Sequence, residues 1–217
     1  MNELTLIGSI AVWVLPVVFA VTVHEGAHGW VAKKRGDKTA WMLGRLTLNP
    51  IKHIDPIGTI LVPGLMLITG TGFIFGWAKP VPVNMRNLKN PIPDMALVAA
   101  AGPLSNILMA IAWALIGRMG AVLDIDAASE LMMLMSSAGI QINLVLALIN
   151  LLPIPPLDGS RILTALLPKK WAWYYSRVEQ YGFFILLFLL MSGALSSILG
   201  SPLYAIQKLF FSLAGLR

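Results

Sequence analysis

Three side chains in the stretch VTVHEGAHGW, residues 21–30, are of the kinds that hold and use a metal ion: His24, Glu25 and His28. Their spacing reads H-E-x-x-H. On a helix, residues i and i+4 stand one above the other, so both imidazoles can grip one ion. Glu25, one residue on, can lie beside that ion and take a proton from water instead of binding metal. With three histidines and four glutamates in 217 residues, chance placement gives this pattern roughly once in a thousand such chains. The bland alternative is a pair of helix-end histidines bonded to Glu25. Gly26, Ala27 and Gly29 keep the helix slim here, which lets other helices approach.

A catalytic zinc takes three protein ligands and keeps one position open. The chain has no cysteine, so a third ligand must be His, Asp or Glu. His53 lies in the loop sequence LNPIKHIDPIG. Asp158, in INLLPIPPLDGSR, is the stronger candidate, as the first acid after a long apolar segment. Pro153, Pro155 and Pro156 should end the helix before it and leave an extended chain that delivers the carboxylate near membrane depth. Taken alone, Asp158-Gly159 reads as an ordinary surface turn.

Both candidate stretches sit at the ends of apolar runs, and composition explains why. Hydrophobic residues make up 57% of the chain and charged residues 12%, with a mean hydropathy of +0.78. A soluble domain is about a quarter charged, so this chain expects lipid as its solvent. Its net charge of +6 lies in short loops between apolar runs, a pattern of cytoplasmic loops and not of nucleic-acid binding.

Charge-poor segments fall at about 4–32, 57–78, 95–117, 131–156 and 181–200, and a shorter one at 203–216. The first five are long enough to cross a bilayer as helices. The amino end MNEL lacks a basic region and the run from Leu4 to Val23 is long, so it reads as a retained span. The last, with Lys208, reads as an interfacial or partly inserted helix. Loops 33–56, 79–94 and 157–180 are basic and are placed in the cytoplasm; loop 118–130, with Asp124, Asp126 and Glu130, is placed outside. Segment 57–78 then begins and ends on one side. Its Pro63 and five glycines suit a re-entrant or broken element, with a full span as the bland alternative. The expected fold is an all-α polytopic membrane protein of five to six segments, with a re-entrant or β-like hairpin element around 57–84. One integral membrane domain fills residues 1–217, with a core over about 5–170 and membrane segments over 181–217.

H-E-x-x-H at the end of one span, with Asn150-Leu-Leu-Pro153-Ile-Pro155-Pro-Leu157-Asp158-Gly159 at the end of a later one, resembles the site-2 protease family of intramembrane zinc metalloproteases (peptidase family M50). AGPLSN (Gly102, Pro103, Asn106), LNPIKHIDPIG and FGWAKPVPVN add to the resemblance, which runs from about residue 5 to 170. It is closest to small members without a PDZ or CBS domain. The resemblance implies one Zn2+ per chain on His24, His28 and Asp158, with Glu25 as general base. It implies that Asn150 and Asn106 face the site, where an amide can hold substrate or a developing oxyanion. His53 and Asp55 read as structural loop residues. The substrates implied are transmembrane proteins or peptides, reached from the cytoplasmic side of the cell membrane. FIFGWAKPVPV alternates like an edge strand that could pair with an unwound substrate. A cation transporter and an inactive relative are the rival readings, and two histidines with one carboxylate would also suit iron.

Overall fold

The computed structural model describes residues 6–69, 76–123 and 126–216. It is all-helical, 81% helix, and no strand occurs among the described residues. The elements are α1 (Leu6–Lys34), α2 (Thr39–Met42), α3 (Val62–Thr69), α4 (Pro91–Leu123), α5 (Asp126–Leu151), α6 (Asp158–Leu166), α7 (Lys169–Ser176), α8 (Gly182–Met191) and α9 (Ala194–Ala214). By length and composition, Pro91–Leu123 and Ala128–Leu151 can each cross a membrane. The pair Lys169–Met191 and Ala194–Ala214 qualifies together but is bent by 74°.

The centre is α4 packed against α5, with α1 across both. α4 starts where it does because Pro91 suits a first helical position and Asp94 reaches back to the Asn90 N–H at 2.7 Å. Its faces are sorted as lipid would sort them. Leu97, Leu104, Leu108, Ile111, Leu115, Met119 and Val122 are exposed along one side. The other side buries Gly102, Asn106, Ala110, Ala114, Gly117 and Gly120, small or polar residues that bring helices close. Ser136 and Asn143 of α5 are fully buried as well. A polar interior inside an apolar coat is the pattern of a membrane protein.

The tail departs from the expected segments. No break occurs at 200–203, because Pro202 lies inside α9. The break falls between α8 and α9, where Gly193 takes a left-handed φ of 74° that other residues rarely adopt. Phe210 and Ala214 then pack into one core cluster with Ala110, Trp113, Ile140 and Leu144. The stretch 203–216 is therefore part of a core helix and not an isolated interfacial one. Loop 118–130 also proves to be mostly helix, since α4 runs to Leu123 and α5 begins at Asp126. Asp124 lies outside the described residues.

The described ends of segment 57–78 lie side by side. Pro56–Leu61 forms a wide π-type turn that continues into α3. On the return, the Trp77 N–H donates to the Gly58 carbonyl at 3.0 Å and the Lys79 N–H to the His53 carbonyl at 2.9 Å. Gly58 is required here, because a Cβ on it would meet the Trp77 ring. The outgoing half is helical and residues 76–84 are extended without forming a strand, so no β-hairpin is found among the described residues. Phe73, Ile74 and Phe75, the apolar half of the expected edge strand, lie outside them.

Candidate metal centre

α1 carries His24 and His28 to the place where α4 is thinnest. Their Nε2 atoms stand 3.0 Å apart. Asp158, the first residue of α6, brings its Oδ2 to 3.2 Å from His24 Nε2 and 3.4 Å from His28 Nε2. It does not arrive on an extended chain. Residues 152–157 wind through tight turns, with Ile154 N–H to Leu152 O at 2.8 Å and Leu157 N–H to Ile154 O at 2.9 Å. The prolines end α5 as expected, and Gly159 lets α6 fold back against the carbonyls of Leu151 and Leu152.

The hydrogen bonds behind the ligands decide which nitrogens are bare. The Val98 carbonyl can only accept, so His28 Nδ1, 2.7 Å away, must donate to it. Asn106 Nδ2 donates to the Ala20 carbonyl at 3.2 Å and to Asn143 Oδ1 at 2.9 Å. Its Oδ1 therefore faces His24 Nδ1 at 2.6 Å and accepts from it. Both Nε2 atoms are left as lone pairs, pointing at each other and at a buried carboxylate oxygen with no hydrogen-bond partner. Three mutually repelling acceptors this close call for a cation among them. Ligands about 2.0–2.1 Å from one tetrahedral ion stand about 3.3 Å apart, which matches the three distances. Gly102 keeps the space open: a Cβ there would lie 2.5 Å from both His24 Cε1 and His28 Nε2. The donor set and its geometry fit zinc.

The ligands open on a cavity of about 370 Å3, also lined by Glu25, Asn150, Arg161 and the apolar side chains of Val83, Met85, Met95 and Val98. Glu25 sits beside the ligands with Oε2 accepting the Val81 N–H at 2.7 Å. Asn150 faces the cavity, with Nδ2 donating to the Leu146 carbonyl at 3.0 Å. Asn106 is placed differently from the expectation. It is fully buried behind His24, and its amide hydrogens and carbonyl are all engaged, so it orients a ligand and does not reach the cavity. His53 stands apart from the cluster. It is buried with Nε2 2.9 Å from the Thr47 carbonyl, and Asp55 caps the turn at Ile57 and Gly58.

Sequence reading missed Asn143 and the Val81 amide. Asn143 had a legible signal, since it precedes Asn150 by seven residues and shares its helix face. The Val81 amide had none, because backbone groups carry no residue signature.

A family model for peptidase family M50 matches residues 118–193, the part that holds Asn150 and Asp158. The chain is 44% identical over 208 residues to YwhC of Bacillus subtilis (strain 168), a zinc metalloprotease by assignment, covering 91% of this chain and 90% of that one. It is 29% identical over 188 residues to Rip2 of Mycolicibacterium smegmatis (strain ATCC 700084 / mc(2)155), assigned likewise, covering 86% and 68%. No solved structure matches.

Proposed function

The chain belongs to peptidase family M50, the site-2 protease family, and on that premise we propose that it cleaves transmembrane proteins or peptides within the bilayer. The observation that carries this reading is the convergence of two bare imidazole nitrogens and an unpartnered carboxylate oxygen beside a glutamate, on a cavity whose other lining is Asn150, Arg161 and apolar side chains. His24, His28 and Asp158 would hold the zinc. Bound there, it supplies the Lewis acidity that makes water a nucleophile at neutral pH.

The chain's own groups do the rest. Glu25 takes the proton from the attacking water; Val81 holds one of its oxygens and leaves the other for that proton. It then delivers the proton to the departing amine. Asn150 is the cavity side chain we assign to the substrate carbonyl as negative charge develops on it. Asn106 and Val98 keep both imidazoles in the tautomer that offers Nε2 to the metal. The apolar lining suits a locally unwound stretch of a membrane helix.

We place the protein in the cell membrane with five to six membrane segments, α1 among them and 57–78 re-entrant. The basic loops and the cavity then face the cytoplasm, from which water enters. The test is Glu25→Gln in full-length protein, assayed for metal content and for cleavage of a transmembrane peptide. Zinc retained near one per chain with cleavage reduced by about a thousandfold or more is expected. Cleavage at the wild-type rate in Glu25→Gln would end the assignment of Glu25, and iron in place of zinc would end that of the metal.

A further inference from the structure

Residues 76–84 form a strap that ends in a single 3-10 turn at Met85–Asn87, and its Pro80, Val81 and Val83 line the cavity together with Met85. The local sequence Lys79-Pro-Val-Pro-Val dictates much of this. Pro80 and Pro82 fix φ, and each bars the preceding residue from helix, so Lys79 and Val81 are extended. Neither proline has an N–H. Between Lys79 and Val83, Val81 is the one residue left with an amide, and that amide is given to Glu25.

The other end of the same peptide unit is also held. Arg45 Nη2 donates to the Pro80 carbonyl at 3.3 Å and to the Lys79 carbonyl at 2.9 Å. The Pro80 C=O and the Val81 N–H belong to one planar peptide, and in the trans form they point in opposite directions. Arg45 and Glu25 therefore grip a single rigid plate from its two sides, the cation at the oxygen end and the carboxylate at the hydrogen end. Each contact polarises the peptide in the sense that strengthens the other. Arg45 lies in the loop after α2; it is half-buried, with Nε enclosed and without a hydrogen-bond partner, so its side chain is held at the strap by Nη2 and by packing.

We infer that Arg45 is a positioning residue for the catalytic base, acting on Glu25 through the Pro80–Val81 peptide. The inference rests on the reading of Glu25 as general base. Without Arg45 the strap keeps its extended course but the plate can turn, and the carboxylate loses its fixed aim at the attacking water. A misplacement of this kind at a reacting group costs about a hundredfold in rate.

The experiment compares full-length, zinc-loaded wild type with Arg45→Gln, Arg45→Lys, Val81→Pro and the double variant Arg45→Gln/Val81→Pro. Val81→Pro removes the N–H while favouring the same extended backbone. Each single variant is expected to lower kcat on a transmembrane peptide by about ten- to hundredfold, with KM within about twofold and zinc content unchanged. The double variant should be no worse than the worse single one, because both changes break the same linkage. Arg45→Lys should recover part of the loss by donating to one carbonyl.

Hydrogen exchange gives a readout that does not need activity. Residues 80–83 contain two exchangeable backbone amides, those of Val81 and Val83. In Arg45→Gln the Val81 amide should exchange about tenfold faster, the equivalent of one weakened hydrogen bond. A wild-type kcat in Arg45→Gln, additive losses in the double variant, or unchanged Val81 exchange would each overturn the inference. A wild-type protein that cleaves no membrane peptide would overturn the protease reading alone, while the exchange rates still decide the clamp.

Discussion

On one side of the cavity α1 presents His24, backed by Asn106 of α4 and Asn143 of α5, with side chains buried and every polar atom of the Asn pair engaged inside the helix bundle. On the other side, the strap at 76–84 reaches Glu25 through one amide, and Trp77 in it and Met85 in the turn that ends it are more than a third exposed. The metal side is a scaffold over-determined by packing. The base side is held by a short series of hydrogen bonds that can be broken one at a time. The difference suits the chemistry: ligands must not move, whereas a substrate has to slide in beneath whatever covers the base. Disturbing the helix wall should therefore abolish metal binding, and disturbing the strap should lower the rate with the metal still in place.

Gly102→Ala should have the largest effect. The new Cβ would lie within 2.6 Å of three imidazole atoms, and neither ring can retreat without leaving Val98 or Asn106. Zinc affinity should fall by about a hundredfold or more, and cleavage with it, while helix content by circular dichroism stays at the wild-type level. Competition with a chromogenic chelator measures it. Wild-type zinc affinity in this variant would mean that the helix wall is less rigid than the strap, and the contrast would be reversed.

Asn106→Ala should come next. His24 Nδ1 loses its acceptor and the ring is free to flip or change tautomer, a loss of about ten- to a hundredfold in zinc affinity. The same change strands the Asn143 side-chain carbonyl oxygen, so the thermal midpoint should fall as well. An Asn106→Ala protein with full zinc affinity and reduced substrate binding would return Asn106 to the substrate-facing role that its sequence context suggested.

The cluster of His24, His28 and Asp158 was legible because each leaves a mark in sequence: the i, i+4 spacing of the two histidines, and a first acid after an apolar run for Asp158. The all-helical fold followed from hydropathy. What escaped was set by partners and not by residue type. A buried Asn must find hydrogen bonds, but the sequence does not say whether Asn106 finds them in a substrate or behind a ligand. Proline runs announce that a helix ends at Leu151 without saying that the next residues coil into turns. The last break falls at Gly193 and not in the gap between 200 and 203, because α9 absorbs Pro202 while Gly193 alone takes the left-handed turn there. The Arg45 contact runs through a peptide bond, which every sequence has everywhere.

Asp37→Asn should have the smallest effect and tests the strap at its far end. Asp37 is fully buried just beyond α1, where it accepts from the Asn84 N–H at 2.7 Å, Asn87 Nδ2 at 3.0 Å and the N–H and hydroxyl of Thr39. Burial pushes its carboxyl upward, but the hydrogen bonds from Thr39, Asn84 and Asn87 together outweigh it and hold its pKa below the ordinary carboxylate value. A carboxylate depressed in the folded state stabilises fully above its unfolded pKa of about 3.9 and loses that contribution as pH falls through the folded value. Protection of the Asn84 amide against exchange should thus be level from about pH 5 upward and decline below about pH 4. Asparagine offers one acceptor oxygen where Asp37 offers two, so Asp37→Asn should lower that protection at neutral pH and remove its acid-side decline. Cleavage should fall only about two- to fivefold, with zinc unchanged, because Arg45 still holds the Pro80–Val81 peptide from the other side. A loss as large as that of Arg45→Gln would show that the strap moves as one body, and the base would then be held by the strap's ends and not by the plate beside it.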